Sequence, residues 1–163
     1  MTTNQIAFLA LCNEYCAAAE TPAFDDARDL AWRMLRLLPR IYICASDIRA
    51  DADAIPDTFI APALDERHYD EVRHRLEAVL GEDDTYLEVF EQDMKYSDTP
   101  IGASIAEGLA DLFQVFYNAV EALRDAPDEL ADDIFASISD DFASYWSQTL
   151  CNVMRPLNHI LNN

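Results

Sequence analysis

Apolar residues recur at three- and four-residue intervals along almost the whole chain, and only three glycines occur in 163 residues. That spacing puts the apolar positions on one side of an α-helix. An all-β domain would need alternation in twos and many more turn glycines. The fold class expected is therefore all-α. Alanine, leucine and acids are abundant, which favours helix further. A chain of this length makes one domain, residues 1–163, burying roughly 68–70% of its unfolded surface. Five to six helices joined by short connections predict an antiparallel helical bundle.

The pattern places the helices one by one. The first spans Thr3–Glu20, with Ile6, Leu9, Cys12 and Cys16 turned inward. Thr21 and Pro22 suit the N-cap and first position of a second helix over residues 22–48. Its buried stripe is Leu30, Met34, Leu37, Leu38, Ile41 and Ile48, and it is expected to kink or break near Pro39. Residues 49–64 lack periodicity and read as a long loop. A third helix over residues 65–80 buries Tyr69, Val72, Leu76 and Val79 and ends at Gly81. A short fourth helix is expected over residues 83–94, then a loop over 96–102. The fifth begins at Ser104, where Ser104-x-x-Glu107 reads as a capping box. Its core stripe is Ile105, Leu109, Leu112, Phe113, Phe116, Val120 and Leu123. Pro127 opens the last helix, which is expected to bury Leu130, Ile134, Ile138, Phe142, Tyr145, Trp146, Leu150 and Val153, and to end or bend at Pro156.

Charge narrows the partners. The net charge is -20, and residues 81–141 hold seventeen acids against Lys95 and Arg124 alone. Such a surface repels phosphate backbones and anionic membranes and attracts basic proteins. Nucleic acid and membrane are thus not expected as partners. No uncharged apolar run approaches ~18 residues, and no basic stretch precedes residues 6–12. The expected compartment is the cytoplasm. Cys12, Cys16, Cys44 and Cys151 form no Cys-x-x-Cys pair and are read as reduced, buried thiols.

The stretch Ser104-Ile105-Ala106-Glu107-Gly108-Leu109-Ala110-Asp111-Leu112-Phe113 resembles the central motif of domain-of-unknown-function family 5063. Trp146 within Phe142-Ala-Ser-Tyr-Trp-Ser-Gln is similar to a late Phe…Trp signature of that family, and Leu38-Pro-x-Ile-Tyr42 to an early one. The resemblance spans most of the chain. It implies an all-helical fold and a bacterial origin, and no activity. Three positions depart from the family pattern. Gly108 stands where a second acid is expected, and Tyr145 and Thr149 stand where many members carry His.

Candidate site residues are few. Glu71-x-x-His74 has the spacing of a di-iron bundle ligand pair, but such sites need a second pair and two further Glu. Only three histidines exist, so no metal is expected. No catalytic elbow or phosphate loop is present, and no cofactor is expected. The residues that remain are Glu107 and Asp111, one turn apart on the fifth helix, and Arg33, Arg36 and Arg40 on the second. An acid flanked by Leu109, Leu112 and Phe113 needs a partner if buried, and the arginine stripe is expected to supply it.

Three functions compete. The first is a non-enzymatic interaction module whose acidic C-terminal half docks a basic protein partner. The second is a small-ligand binder or enzyme with a polar inter-helix pocket around Asp111. The third is an acidic mimic of nucleic acid. The first ranks ahead because it accounts for both the charge and the missing catalytic motifs.

Overall fold

The structure is a computed structural model that describes residues 1–21, 23–50, 53–56, 60–88, 95–96 and 99–163. The helices are α1 (Thr3–Glu20), α2 (Ala27–Ser46), α3 (Glu66–Leu80), α4 (Ile105–Arg124), α5 (Asp128–Asp141) and α6 (Ser147–Asn162). A π turn, Phe142–Trp146, joins α5 to α6, so these two form one continuous rod. Two short strands, β1 (Thr85–Glu88) and β2 (Ile101–Ser104), pair antiparallel with Thr85 opposite Ser104. The domain is all-α, an antiparallel bundle.

Four helices close a ring. α1 packs on α2 and α4, and α6 packs on the same two from the other side. α2 and α4 therefore stand diagonally across the core, and α3 lies against the outer flank of α4. The centre is aromatic. Trp146 meets Phe142 at 4.7 Å, Phe116 at 5.4 Å and Phe8 at 6.3 Å between ring centroids. Tyr15 meets Phe116 edge-on at 5.0 Å. Such tilted pairs are the geometry that ring quadrupoles favour.

Several expectations are corrected. Ile6 is exposed, and the buried face of α1 is Gln5, Phe8, Leu11, Cys12, Tyr15, Cys16 and Ala19. A capping box sets that register: the Gln5 N–H donates to Thr2 Oγ1 (3.2 Å), and the Thr2 N–H donates to Gln5 Oε1 (2.7 Å). Thr21 closes α1 instead of opening α2, because its N–H and its hydroxyl both donate to the Ala17 carbonyl. The N-cap of α2 is Asp26, whose Oδ1 accepts from the Asp29 N–H (2.8 Å). Pro22 lies outside the described residues. α2 runs through Pro39 unbroken. α6 likewise continues past Pro156 to Asn162, since buried Val153 and Leu157 hold both sides of the proline on the bundle.

Over its described residues, 83–88, the expected fourth helix is replaced. Gly81, at a positive φ of 55°, ends α3 as expected, but a single 3₁₀ turn and then β1 follow it. Residues 89–94 of that expected helix lie outside the described residues. Ser104 does cap α4, accepting from the Glu107 N–H (3.0 Å), yet Glu107 returns no bond. Asp84 takes that part, accepting from the Ala106 N–H (2.7 Å) and from the Ser104 hydroxyl (2.8 Å). In the last rod, Leu130 and Tyr145 are exposed.

Two cross-links hold the periphery. Arg75 of α3 donates to the Glu20 carbonyl (2.6 Å) and the Ala19 carbonyl (3.4 Å), satisfying the free end of α1. The long loop before α3 is pinned by side chains: Asp133 accepts from the Ile55 N–H, Ser137 donates to the Pro56 carbonyl, and Asn118 Oδ1 accepts from the Ala63 and Leu64 N–H groups.

Candidate functional site

The polar residues of α4 fall in one line. Glu107, Asp111, Gln114 and Asn118 follow each other at steps of four, three and four, which keeps them on a single helix face. Leu109, Leu112, Phe113 and Phe116 fill the buried face of α4. The polar line runs along the boundary between α4, α3 and the π turn.

Asp111 is half-buried at its centre. Its Oδ1 accepts from the Tyr69 hydroxyl of α3 at 2.7 Å. The negative charge of Asp111 reaches two further phenols, Tyr15 of α1 and Tyr145 of the π turn. Burial pushes the Tyr69 hydroxyl up, helped by the bond to Asp111 and by the charges of Asp111 and Glu107, and Arg73 opposes them. Tyr15 is pushed up by complete burial, with Cys16 and Asp111 adding to it, while its hydroxyl donates to the Leu109 carbonyl at 2.7 Å. Tyr145 is raised by burial and by Asp111, against a hydrogen bond with Thr149. Phenols raised in this way stay protonated at neutral pH. The Tyr69 and Tyr15 hydroxyls donate hydrogen bonds accordingly.

The arginine stripe does not reach this place. Arg33 pairs with Asp29 (3.1 Å) and lies over Phe24 at 5.4 Å. Arg36 stacks on Trp32 at 3.6 Å. Arg40 borders a groove between α1 and α2 beside Glu14. None forms an ion pair with Asp111 among the described residues. The reason is topological: α2 stands diagonal to α4, and Tyr69 of α3 takes the place beside Asp111. The structure brings Asp111 and Glu107 together and leaves Arg33, Arg36 and Arg40 on the far side.

Further along the same face of α4 lies a cleft of about 360 Å³. Gln114, Asn118, Asp141 and Tyr145 give it polar groups, while Ile60, Val115, Ile138 and Trp146 give it apolar walls. Burial and the neighbouring Asp140 push the Asp141 carboxyl up. Trp146 is 1% exposed, and its indole Nε1–H has no acceptor among the described residues. Sequence reading passed over Gln114, Asn118 and Asp141, and took Tyr145 for packing. The four-three-four polar line on an otherwise apolar helix was the signal that marked two of them.

Charged groups of α3 are locally occupied. Arg67 bonds Glu71, Arg73 bonds Glu77, and His74 Nδ1 lies 2.8 Å from the Asp70 carbonyl, all along the exposed face of α3. Among the described residues, no three His, Cys, Asp or Glu side chains gather as a metal site would need. Cys12 and Cys16 are buried, and burial raises both thiols, Cys16 to about 12. Cys44 is half-buried and Cys151 is exposed, which corrects the expectation that all four are buried. No helix is long and apolar enough to cross a membrane among the described residues.

The whole chain, residues 1–163, matches the family described as Domain of unknown function (DUF5063). The chain belongs to this family. The DUF5063 fold recurs in the crystal structure of protein BF1032 from Bacteroides fragilis, which is 24% identical, with a TM-score of 0.82 over 100% of this chain and 98% of that one. At that identity the likeness speaks for the fold. No curated protein matches the chain.

Proposed function

We propose that this DUF5063 chain is a non-enzymatic interaction module that docks a basic protein partner through its acidic C-terminal half. One observation carries the reading. The acids around α5, namely the exposed Asp125, Asp128, Glu129 and Asp140 and the half-buried Asp132, have no cationic partner among the described residues. The nearest cation in sequence, Arg124, is bonded to Glu121 at 2.7 Å. Asp128 and Glu129 gain some stability from the helix N-terminus, but the rest of the charge is uncompensated. An exposed apolar residue, Leu130, sits among these acids. A cytoplasmic setting is part of this reading.

The test is comparative capture of proteins from the host at about 0.05 M and about 0.5 M salt, since exposed charges are screened over a shorter length at the higher value. The bait is either the wild-type chain or a variant carrying Asp128→Asn, Glu129→Gln and Asp132→Asn. A basic protein held by the wild type at low salt, and lost both in the variant and at high salt, is the expected result. The same proteins held by both baits at both salts would refute it. A small-ligand site is the second reading, favoured by the polar line from Asp111 to the cleft at Asp141.

A further inference from the structure

The cleft between α4 and the π turn plays no part in the docking surface. We propose that it binds a primary ammonium group carried on an apolar stem. Its volume of about 360 Å³ falls in the range of small-ligand sites, ~300–1,000 Å³. Ile60, Val115, Ile138 and Trp146 offer an apolar channel for the stem. Among its polar lining residues is the exposed Asp141, a carboxylate with no ion-pair partner among the described residues. The Gln114 side-chain oxygen adds a neutral acceptor, while the Tyr145 hydroxyl is engaged with Thr149 and the Asn118 oxygen is already taken by the loop N–H groups.

Competing ligand classes fit less well. An anion would meet Asp141, Asp140 and the field of a chain with net charge -20. A hard metal ion needs six or more oxygens, and the cleft has one carboxylate. A neutral apolar molecule would leave the Asp141 carboxylate partly desolvated and unpaired. An ammonium pairs with that carboxylate beside the exposed Tyr145 ring, whose face attracts cations. The π turn contributes to the arrangement, holding Phe142 and Trp146 in the core while Tyr145 stands 54% exposed at the cleft. Such turns recur at functional sites.

Trp146 supplies the readout. The chain has two tryptophans, and Trp32→Phe removes the one on α2, outside the cleft. Trp146 emission of that variant is then titrated with phenethylammonium, 2-phenylethanol and 3-phenylpropionate. A saturable change with the ammonium, weaker binding of the alcohol and none of the carboxylate are expected. Asp141→Asn is expected to weaken the ammonium about fivefold, the upper end for a solvent-facing ion pair, and to leave the alcohol unchanged. Val115→Phe fills the cleft without altering charge and is expected to abolish binding of both. Nα-acetyl-lysinamide separates two sources of the group: affinity equal to phenethylammonium points to a partner's lysine side chain, and a clear deficit to a free amine. No saturable change at about 10 mM phenethylammonium, where even a millimolar Kd registers, would overturn the proposal. So would equal affinity for ammonium and alcohol, or Asp141→Asn without effect. These variants leave Asp128, Glu129 and Asp132 intact, so the cleft and the docking face stand or fall separately.

Discussion

Gly108→Ala is the sharpest probe of how the bundle is assembled. Gly108 lies inside α4, where alanine alone would gain about 1 kcal/mol of helix propensity. Its position opposes that gain. A Cβ at residue 108 would stand 2.5 Å from Val153 Cγ1 of α6, whereas carbon contacts are comfortable at about 3.5–4.0 Å. Val153 is 1% exposed and β-branched, so it is held in one rotamer and cannot swing aside. Overpacking of this kind costs about 1–3 kcal/mol. Subtracting the propensity gain leaves a net loss between zero and about 2 kcal/mol, centred near 1. Val153→Ala should by itself cost about 2 kcal/mol for the lost burial and the cavity. Together the two would lose about 3 kcal/mol if independent. Removing the obstructing methyl lets the alanine express its propensity, so the double variant should instead lose about 1 kcal/mol, a coupling of about 2. Urea unfolding measures all four corners of the cycle, and each kcal/mol moves Tm by about 2–4 °C at this size. A stabilised Gly108→Ala, or an additive double variant, would mean that α4 and α6 do not touch at this point.

Three further outcomes follow from the geometry. Ser104→Ala and Asp84→Ala should each lower stability by about 0.5–2 kcal/mol in thermal unfolding, while Glu107→Ala stays within about 0.5, because Asp84 and not Glu107 completes the cap of α4. The raised Asp141 carboxyl means the folded chain holds its proton more tightly than the unfolded one, so its contribution is most favourable at low pH and declines as pH rises from the ordinary value of 3.8 through the raised one. Asp141→Asn should therefore raise Tm at pH 7 and change it least near pH 3; the opposite order would contradict the raised carboxyl. Thiol labelling of the native chain should modify Cys151 first and Cys44 more slowly, and should reach Cys12 and Cys16 only on unfolding, as read by peptide mass.

The core of α4 was legible because Ile105, Leu109, Leu112, Phe113 and Phe116 repeat with the helix period and are all buried. α1 was harder. Its alanines leave apolar residues on every side, so the sequence marks no face, and the Thr2–Gln5 box chose one that excludes Ile6. In the last rod the buried residues Ile134, Ile138, Phe142, Trp146 and Leu150 stand four apart. An ideal helix drifts about 40° for each such step, and the wider π turn takes up part of that drift. Reading the segment as uniform α-helix wrongly drew Tyr145 inward. β1 is four residues long and has no helical period of its own, and only its partner strand makes it recognisable. The partner of Asp111 depends on which helices become neighbours, which periodicity does not encode. The arginines of α2 were equally good candidates until α3 and Tyr69 took the adjacent place.

The bond from Asp84 to the start of α4 has a consequence for cooperativity. Most helices find their cap within a few residues, and α4 borrows part of its cap from twenty positions upstream. Unzipping the two strands and fraying the first turn of α4 are thereby one event, with a shared opening free energy. In hydrogen exchange the Ala106 amide should open in step with the ladder amides of β1 and β2, and Asp84→Ala should release the helix end from the hairpin's clock.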